Sequence, residues 1–210
     1  MLAKTKKVIK RVAIFGDADA KKTDQHFIDA YNTAKLLAEN GYIVVNGGGP
    51  GVMLAATQGA KMGGGRVETV VLDPKKKPAN YEGTNKENDD LADKIIKTKD
   101  YPSRLNKLIE VGDAFVIFDG GVGTLSEVGL TWQMAKFDYA NRVHEPLIFF
   151  GDKLADIVKD LVTRLNYDPL EEKLYQVVRT PEEVLETIKD RKGFKTEDKG
   201  IFGRLMDIFN

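Results

Sequence analysis

The chain holds 210 residues, balances 32 Lys+Arg against 32 Asp+Glu, and contains no cysteine and 2 histidines. Its length fits one domain of ordinary size with a substantial core. The even charge gives no overall field that draws nucleic acid, the missing cysteine excludes disulfides and thiolate metal sites, and His26 and His144 are too few for a histidine-built metal centre.

The basic start, Met1 to Lys10, runs into a short apolar stretch, Val12 to Phe15, without the longer apolar region of a secretory signal. No apolar run reaches the roughly 20 residues that span a bilayer. The reading is a soluble, cytoplasmic protein.

Val8 to Phe15 is β-branched and apolar and reads as a buried strand. Thr23 to Asn40 carries apolar residues at helical spacing and stops at Gly41. A strand at Tyr42 to Val45, a helix at Val52 to Met62 closed by Gly63-Gly64-Gly65, and a strand at Val67 to Leu72 follow. Asp73 to Asp93 is polar, with a lysine triplet and prolines, and reads as a long mobile loop beside the site or as a solvated insertion. Regularity returns with a strand near Lys94 to Lys97, a helix from about Pro102 to Val111, and a strand at Ala114 to Phe118. Next come a helix from about Thr124 to Phe137, a strand at Pro146 to Phe150 and a helix at Lys153 to Leu165. A strand at Tyr175 to Val178 and a helix at Pro181 to Asp190 close the domain, which covers residues 1–190. Residues 191–210 read as a polar linker and a short amphipathic helix, whose apolar face docks on its own domain, a dimer mate, a membrane or another partner. Repeated β–α alternation predicts an α/β, Rossmann-like, doubly wound parallel sheet with helices on both faces. In such sheets ligands sit at the carboxyl edge, where the strand order switches.

Two glycine clusters mark that edge. Gly47-Gly48-Gly49-Pro50-Gly51 follows the second strand, and Gly120-Gly121-Val122-Gly123-Thr124 follows the Ala114 to Phe118 strand. A strand that ends in glycines and opens a helix aims bare N–H groups at one spot, which suits a phosphate. The pair predicts a nucleoside monophosphate gripped from two sides. The plainer reading is that the glycines serve tight turns and close packing.

The first cluster with Val52-Met53, Ala55-Ala56 and Gly63-Gly64-Gly65 resembles the first motif of the LOG family, Rossmann-like proteins often mislabelled as lysine decarboxylases. The second, Asp119-Gly120-Gly121-Val122-Gly123-Thr124-Leu125-Ser126-Glu127, resembles that family's Pro-Gly-Gly-X-Gly-Thr-X-X-Glu, and Arg104 stands at the family's spacing upstream. The resemblance runs from about Val12 to Leu161 and is shared with the wider LOG-like superfamily, including molybdenum-cofactor carriers and DprA-like proteins. It implies a phosphoribohydrolase that cuts the N-glycosidic bond of an AMP-like nucleoside 5′-monophosphate, releasing base and ribose 5-phosphate. Arg104 and Glu127 would be catalytic. Gly16, Asp17, Gly47, Gly48, Gly49, Gly51, Gly120, Gly121, Gly123 and Thr124 would line the nucleotide and phosphate site. It also implies a homodimer with the helices of Arg104 and Glu127 near the two-fold axis.

Cleavage of the C1′–N bond builds positive charge on the ribose, and a carboxylate beside C1′ stabilises that charge and orients water. Arg104 would keep Glu127 charged or bind phosphate. Thr124-X-X-Glu127 also reads as a capping box, and Arg104 as a surface arginine.

The chain departs from the family at Gly16-Asp17-Ala18-Asp19 after the first strand, at Leu105 after the arginine, and at Asp119 before the second glycine pair. A carboxylate about 4 Å from a phosphate charge is repelled by roughly 4 kcal/mol at an effective dielectric near 20. So the aspartates point away, or a magnesium ion bridges them to the ligand, or the ligand meets them through ribose hydroxyls. The expectation is that Asp17 lies near the ligand and the phosphate lies on the second loop. No cofactor is required, no resident metal is assigned, and nucleic acid is not expected as a partner. The departures keep a second function open: a non-catalytic nucleotide or cofactor binder, a sensor or carrier. The glycine pattern does not fit a dinucleotide-dependent dehydrogenase.

Overall fold

The computed structural model describes residues 8–73, 84–139, 144–164 and 173–190. Its elements alternate as β1 (Arg11–Phe15), α1 (Gln25–Glu39), β2 (Ile43–Asn46), α2 (Val52–Met62), β3 (Val67–Leu72), α3 (Lys86–Leu91) and β4 (Lys94–Thr98). Then follow α4 (Tyr101–Val111), β5 (Ala114–Ile117), α5 (Val122–Tyr139), β6 (Leu147–Phe150), α6 (Asp152–Arg164), β7 (Gln176–Val178) and α7 (Pro181–Asp190). The strands form one 7-stranded sheet in the order β4-β3-β2-β1-β5-β6-β7. All neighbours are parallel, with Val12 opposite Val44 on one side and Ala114 on the other. The expected doubly wound α/β sheet is therefore present.

Its cause is visible in the strands. Central strands read as unbroken apolar runs because both faces are covered. Along β1 successive side chains alternate faces. Val12 and Ile14 pack with α1, α2 and α7 through Ala30, Leu37, Ala56, Ala60, Val184 and Ile188. Ala13 and Phe15 pack on the other face with α4, α5 and α6 through Leu108, Val128, Trp132, Leu154 and Val158. The sheet order runs outward from β1 in both directions, so the switch point lies between β1 and β5.

The amino edge of the sheet is fastened by carboxylates. Asp113 accepts from the Lys10 and Arg11 backbone N–H groups at 3.0 and 2.9 Å and ties β5 to β1. Glu68, 2% exposed, receives the Arg11 guanidinium through bonds of 3.2 Å and stands 3.6 Å from the Lys94 ammonium. Burial pushes the Glu68 carboxyl up, but the hydrogen bonds and charge of Arg11 and Lys94 outweigh it and hold it below its ordinary 4.5. Asp93 accepts from the Val67 N–H at 2.7 Å and from Lys61 at 3.0 Å; burial opposes ionisation there, and these donors outweigh it.

The segment expected as one long loop is partly helical. Residues 74–83 lie outside the described set. Lys86–Leu91 forms α3, started by Asn85, whose side chain accepts from the Asn88 N–H. Asn88 is fully buried among polar partners beneath the first glycine loop, which an apolar-periodicity reading does not detect. The tail from 191 to 210 also lies outside the described residues.

Candidate functional site

A cleft open to solvent lies at the carboxyl ends of β1 and β5. Its walls are Phe15 to Asp19 after β1, Met53 of α2, Tyr101 and Arg104 of α4, and Gly121, Gly123, Thr124 and Glu127 of α5. The switch point of the sheet and the cleft thus coincide.

The glycine loops flank the end of β1, and they do different things. Behind β2, Gly47, Gly48, Gly49 and Gly51 are buried and stand outside the cleft lining, as Gly120 does behind β5. The expectation of a cradle on either side puts both loops at the ligand; the cleft wall holds residues of the second. The first loop is tied inward. The Gly48 N–H donates to Asn46 Oδ1 at 2.8 Å, Gly48 O accepts from the Asn85 N–H at 3.0 Å, and Gly49 O accepts from Asn88 Nδ2 at 2.9 Å. Beneath it, Asn46 Nδ2 donates to Thr57 Oγ1 at 2.8 Å and Thr57 Oγ1 to Asn88 Oδ1 at 2.6 Å. The Val52 N–H at the start of α2 donates to Asp17 O at 2.8 Å. Gly51, at φ 61°, permits this approach, since a Cβ there would lie 2.2 Å from Asp17 O.

Arg104 belongs to the same knot. It is 4% exposed, and its Nε donates to Val70 O at 3.1 Å and Nη2 to Gly47 O at 2.9 Å, with Met53 Sδ at 3.7 Å. A Cβ on Gly47 would sit 2.0 Å from Nη2. The surface-arginine reading is wrong: this guanidinium props the first loop against β3. The Tyr101 ring lies 5.9 Å from its carbon. Asp100 starts α4 by accepting from the Ser103 N–H at 2.8 Å; the Ser103 hydroxyl and N–H hold the Asp100 carboxyl below its ordinary range.

The second loop is open. α5 begins at Val122, two positions before the sequence places it, and the Leu125 N–H bonds to Gly121 O. Thr124 is therefore inside the helix rather than at its cap, so the capping-box reading of Thr124 and Glu127 fails. The first turn of a helix leaves N–H groups without helical partners. Here, chain neighbours and the helix's own backbone apart, no described heavy atom lies within 4 Å of a Cβ built on Gly121, and the Tyr101 hydroxyl, at 3.4 Å, is what approaches one built on Gly123. Glu127 lines the same cleft, a turn further into α5, and is part-buried.

The aspartates part company. Asp119 turns outward, 3.8 Å from Lys153 Nζ, and is absent from the cleft wall. Asp17 lines the cleft, and its Oδ1 accepts from the Asp19 N–H at 3.0 Å. Its Oδ2 lies 3.6 Å from His26 Nε2 on α1. Phe15 and Tyr101 are cleft residues that the motifs did not mark; Tyr101, one residue into a capped helix and three before the arginine, was the detectable one. Among the described residues no three His, Asp or Glu side chains gather as metal ligands, and no helix is long and apolar enough to cross a membrane.

A sequence profile of the SLOG cluster4 family matches residues 9–158, and the chain belongs to that family, part of the SMF/DprA-LOG superfamily. An uncharacterized protein of Archaeoglobus fulgidus is 36% identical over 107 residues, which is 51% of this chain and 64% of that relative's length. The molybdenum cofactor binding protein of Rippkaea orientalis superposes with a TM-score of 0.62 at 24% identity, covering 87% of this chain and 97% of that one. The molybdenum cofactor carrier protein of Chlamydomonas reinhardtii gives 0.61 at 23%, covering 87% and 97%. DNA processing protein A of Helicobacter pylori, described with a single-stranded DNA binding mode, gives 0.58 at 18%, covering 88% and 82%. At these identities the likeness is one of fold. A DNA binder among the neighbours removes support from the expectation that nucleic acid plays no part.

Proposed function

We propose that this SLOG cluster4 protein binds an AMP-like phosphomonoester in the cleft at the β1–β5 switch point, with the phosphate on the amino end of α5, and acts as a sensor or carrier. The observation behind this reading is the contrast between the loops. One helix start in the cleft leaves open space beside Gly121 and Gly123, whereas in the first glycine loop the Gly48 N–H and the Arg104 guanidinium are already bonded to other protein groups. A helix start of that kind favours an anion through its N–H groups and its dipole. The solved neighbours named for a bound cofactor or for DNA agree with a fold used for binding.

Glycosidic cleavage is the second reading, and Glu127 favours it. Its carboxylate-bearing side chain is in the cleft wall. Arg104 gives that reading less help, because its Nε and Nη2 donors go to Val70 O and Gly47 O. A homodimer also belongs to the proposal. On α5, Val122 is 81% exposed and Phe137 63%, an apolar surface that a second copy would cover; sedimentation returning a monomer at micromolar concentration removes it.

The deciding experiment titrates wild type with a panel of nucleoside monophosphates and assays each mixture for free base, with Glu127→Ala beside it. A carrier or sensor binds and releases no base in either protein. Base release by wild type that Glu127→Ala abolishes establishes the enzyme instead, and no binding by any nucleotide refutes both.

A further inference from the structure

The cleft has opposite chemistry at its ends. On the α5 side it offers backbone donors, and on the α1 side it offers the Asp17 carboxylate. Asp17 is held where it is by backbone. Its N–H donates to Asp119 O at 2.9 Å, its O accepts from Val52, and its Oδ1 accepts from Asp19 in a turn of its own. Oδ2 is different. It stands 3.6 Å from His26 Nε2, which exceeds a hydrogen bond, and it makes no hydrogen bond among the described residues. That nitrogen is itself buried and makes no hydrogen bond among the described residues. An acceptor oxygen with spare capacity, on a side chain 34% exposed, therefore stands in the wall of the cleft.

Resting on the phosphomonoester reading, we infer that Asp17 is a specificity-determining residue that reads a sugar hydroxyl: the ligand places its phosphate on α5 and donates a hydroxyl of a ribose to Asp17 Oδ2. A carboxylate accepts and does not donate, so a second anionic group at this end is repelled and a hydroxyl is attracted. The ligand class is thus a nucleoside monophosphate with an intact ribose, in preference to its deoxy form or to a nucleotide with further charge at the sugar.

Calorimetric titration of wild type and Asp17→Ala with AMP, 2′-deoxy-AMP and 3′-deoxy-AMP tests this. Wild type binds AMP about tenfold more tightly than one of the deoxy forms, the discrimination expected of one charge-assisted hydrogen bond. In Asp17→Ala the ratio falls to about one while the affinity for that deoxy form holds or improves. Asp17→Asn, which keeps the turn to Asp19, guards against a folding defect and shows a reduced ratio. Equal binding of all three nucleotides by wild type, or an unchanged ratio in Asp17→Ala, overturns the inference alone. Failure of wild type to bind any of them overturns the phosphomonoester reading with it.

Discussion

The two edges of the sheet use carboxylates in opposite ways. At the amino edge Asp113, Glu68 and Asp93 each meet a backbone N–H or a cationic side chain, and their bonds join the starts of different strands. At the carboxyl edge Asp17 keeps an oxygen that none of the described residues bonds, and Asp119 faces a half-open contact with Lys153. Charge with its partners already in place stabilises the fold, and charge with spare capacity is available to a ligand. The glycine loops repeat that division within the carboxyl edge alone, one knotted shut and one open.

The comparison is broken most severely at Arg104, which sits beneath the carboxyl edge but bonds as the amino edge does. Arg104→Met leaves Gly47 O and Val70 O without their buried donor, and unfolding in urea should show a loss of about 3 kcal/mol. Nucleotide affinity should fall as well, because Met53 and Tyr101 of the cleft lean on that guanidinium. Unchanged stability would return Arg104 to the role of a ligand arm.

Glu68→Gln is the milder test, at the other edge. The loss should be about 2 kcal/mol near neutral pH, less than for breaking a fully buried pair because Arg11 is 34% exposed, with nucleotide affinity untouched. The pH dependence has a defined sign. The folded Glu68 carboxyl is held below its ordinary 4.5, so its contribution is complete above that value and is lost as pH falls through the lower folded one. The stability gap between wild type and Glu68→Gln should therefore narrow in acid below about pH 4.5. A gap that widens there contradicts the pairing.

The architecture was legible because alternation and glycine punctuation are local signals, and helices such as Val52–Met62 and Pro181–Asp190 stop where the sequence says. α3 was not, because Asn88 docks by hydrogen bonds that no hydrophobic period reveals. In the candidate site, Asp17, Glu127 and the second loop could be read from position. The closure of the first loop could not, since glycine spacing shows where N–H groups are bare of side chains and not which are already bonded. Arg104 was found for its place in a motif, yet its bonds run to carbonyls distant in sequence.

The direct test of an anion site on α5 is Gly121→Asp. Gly121 is not among the glycines at positive φ, and a Cβ there meets nothing within 4 Å, so aspartate is accommodated at a helix start that favours it. The account predicts an unchanged or slightly raised melting temperature together with loss of nucleoside monophosphate binding by at least tenfold in calorimetry. Full affinity in a normally folded Gly121→Asp would contradict it.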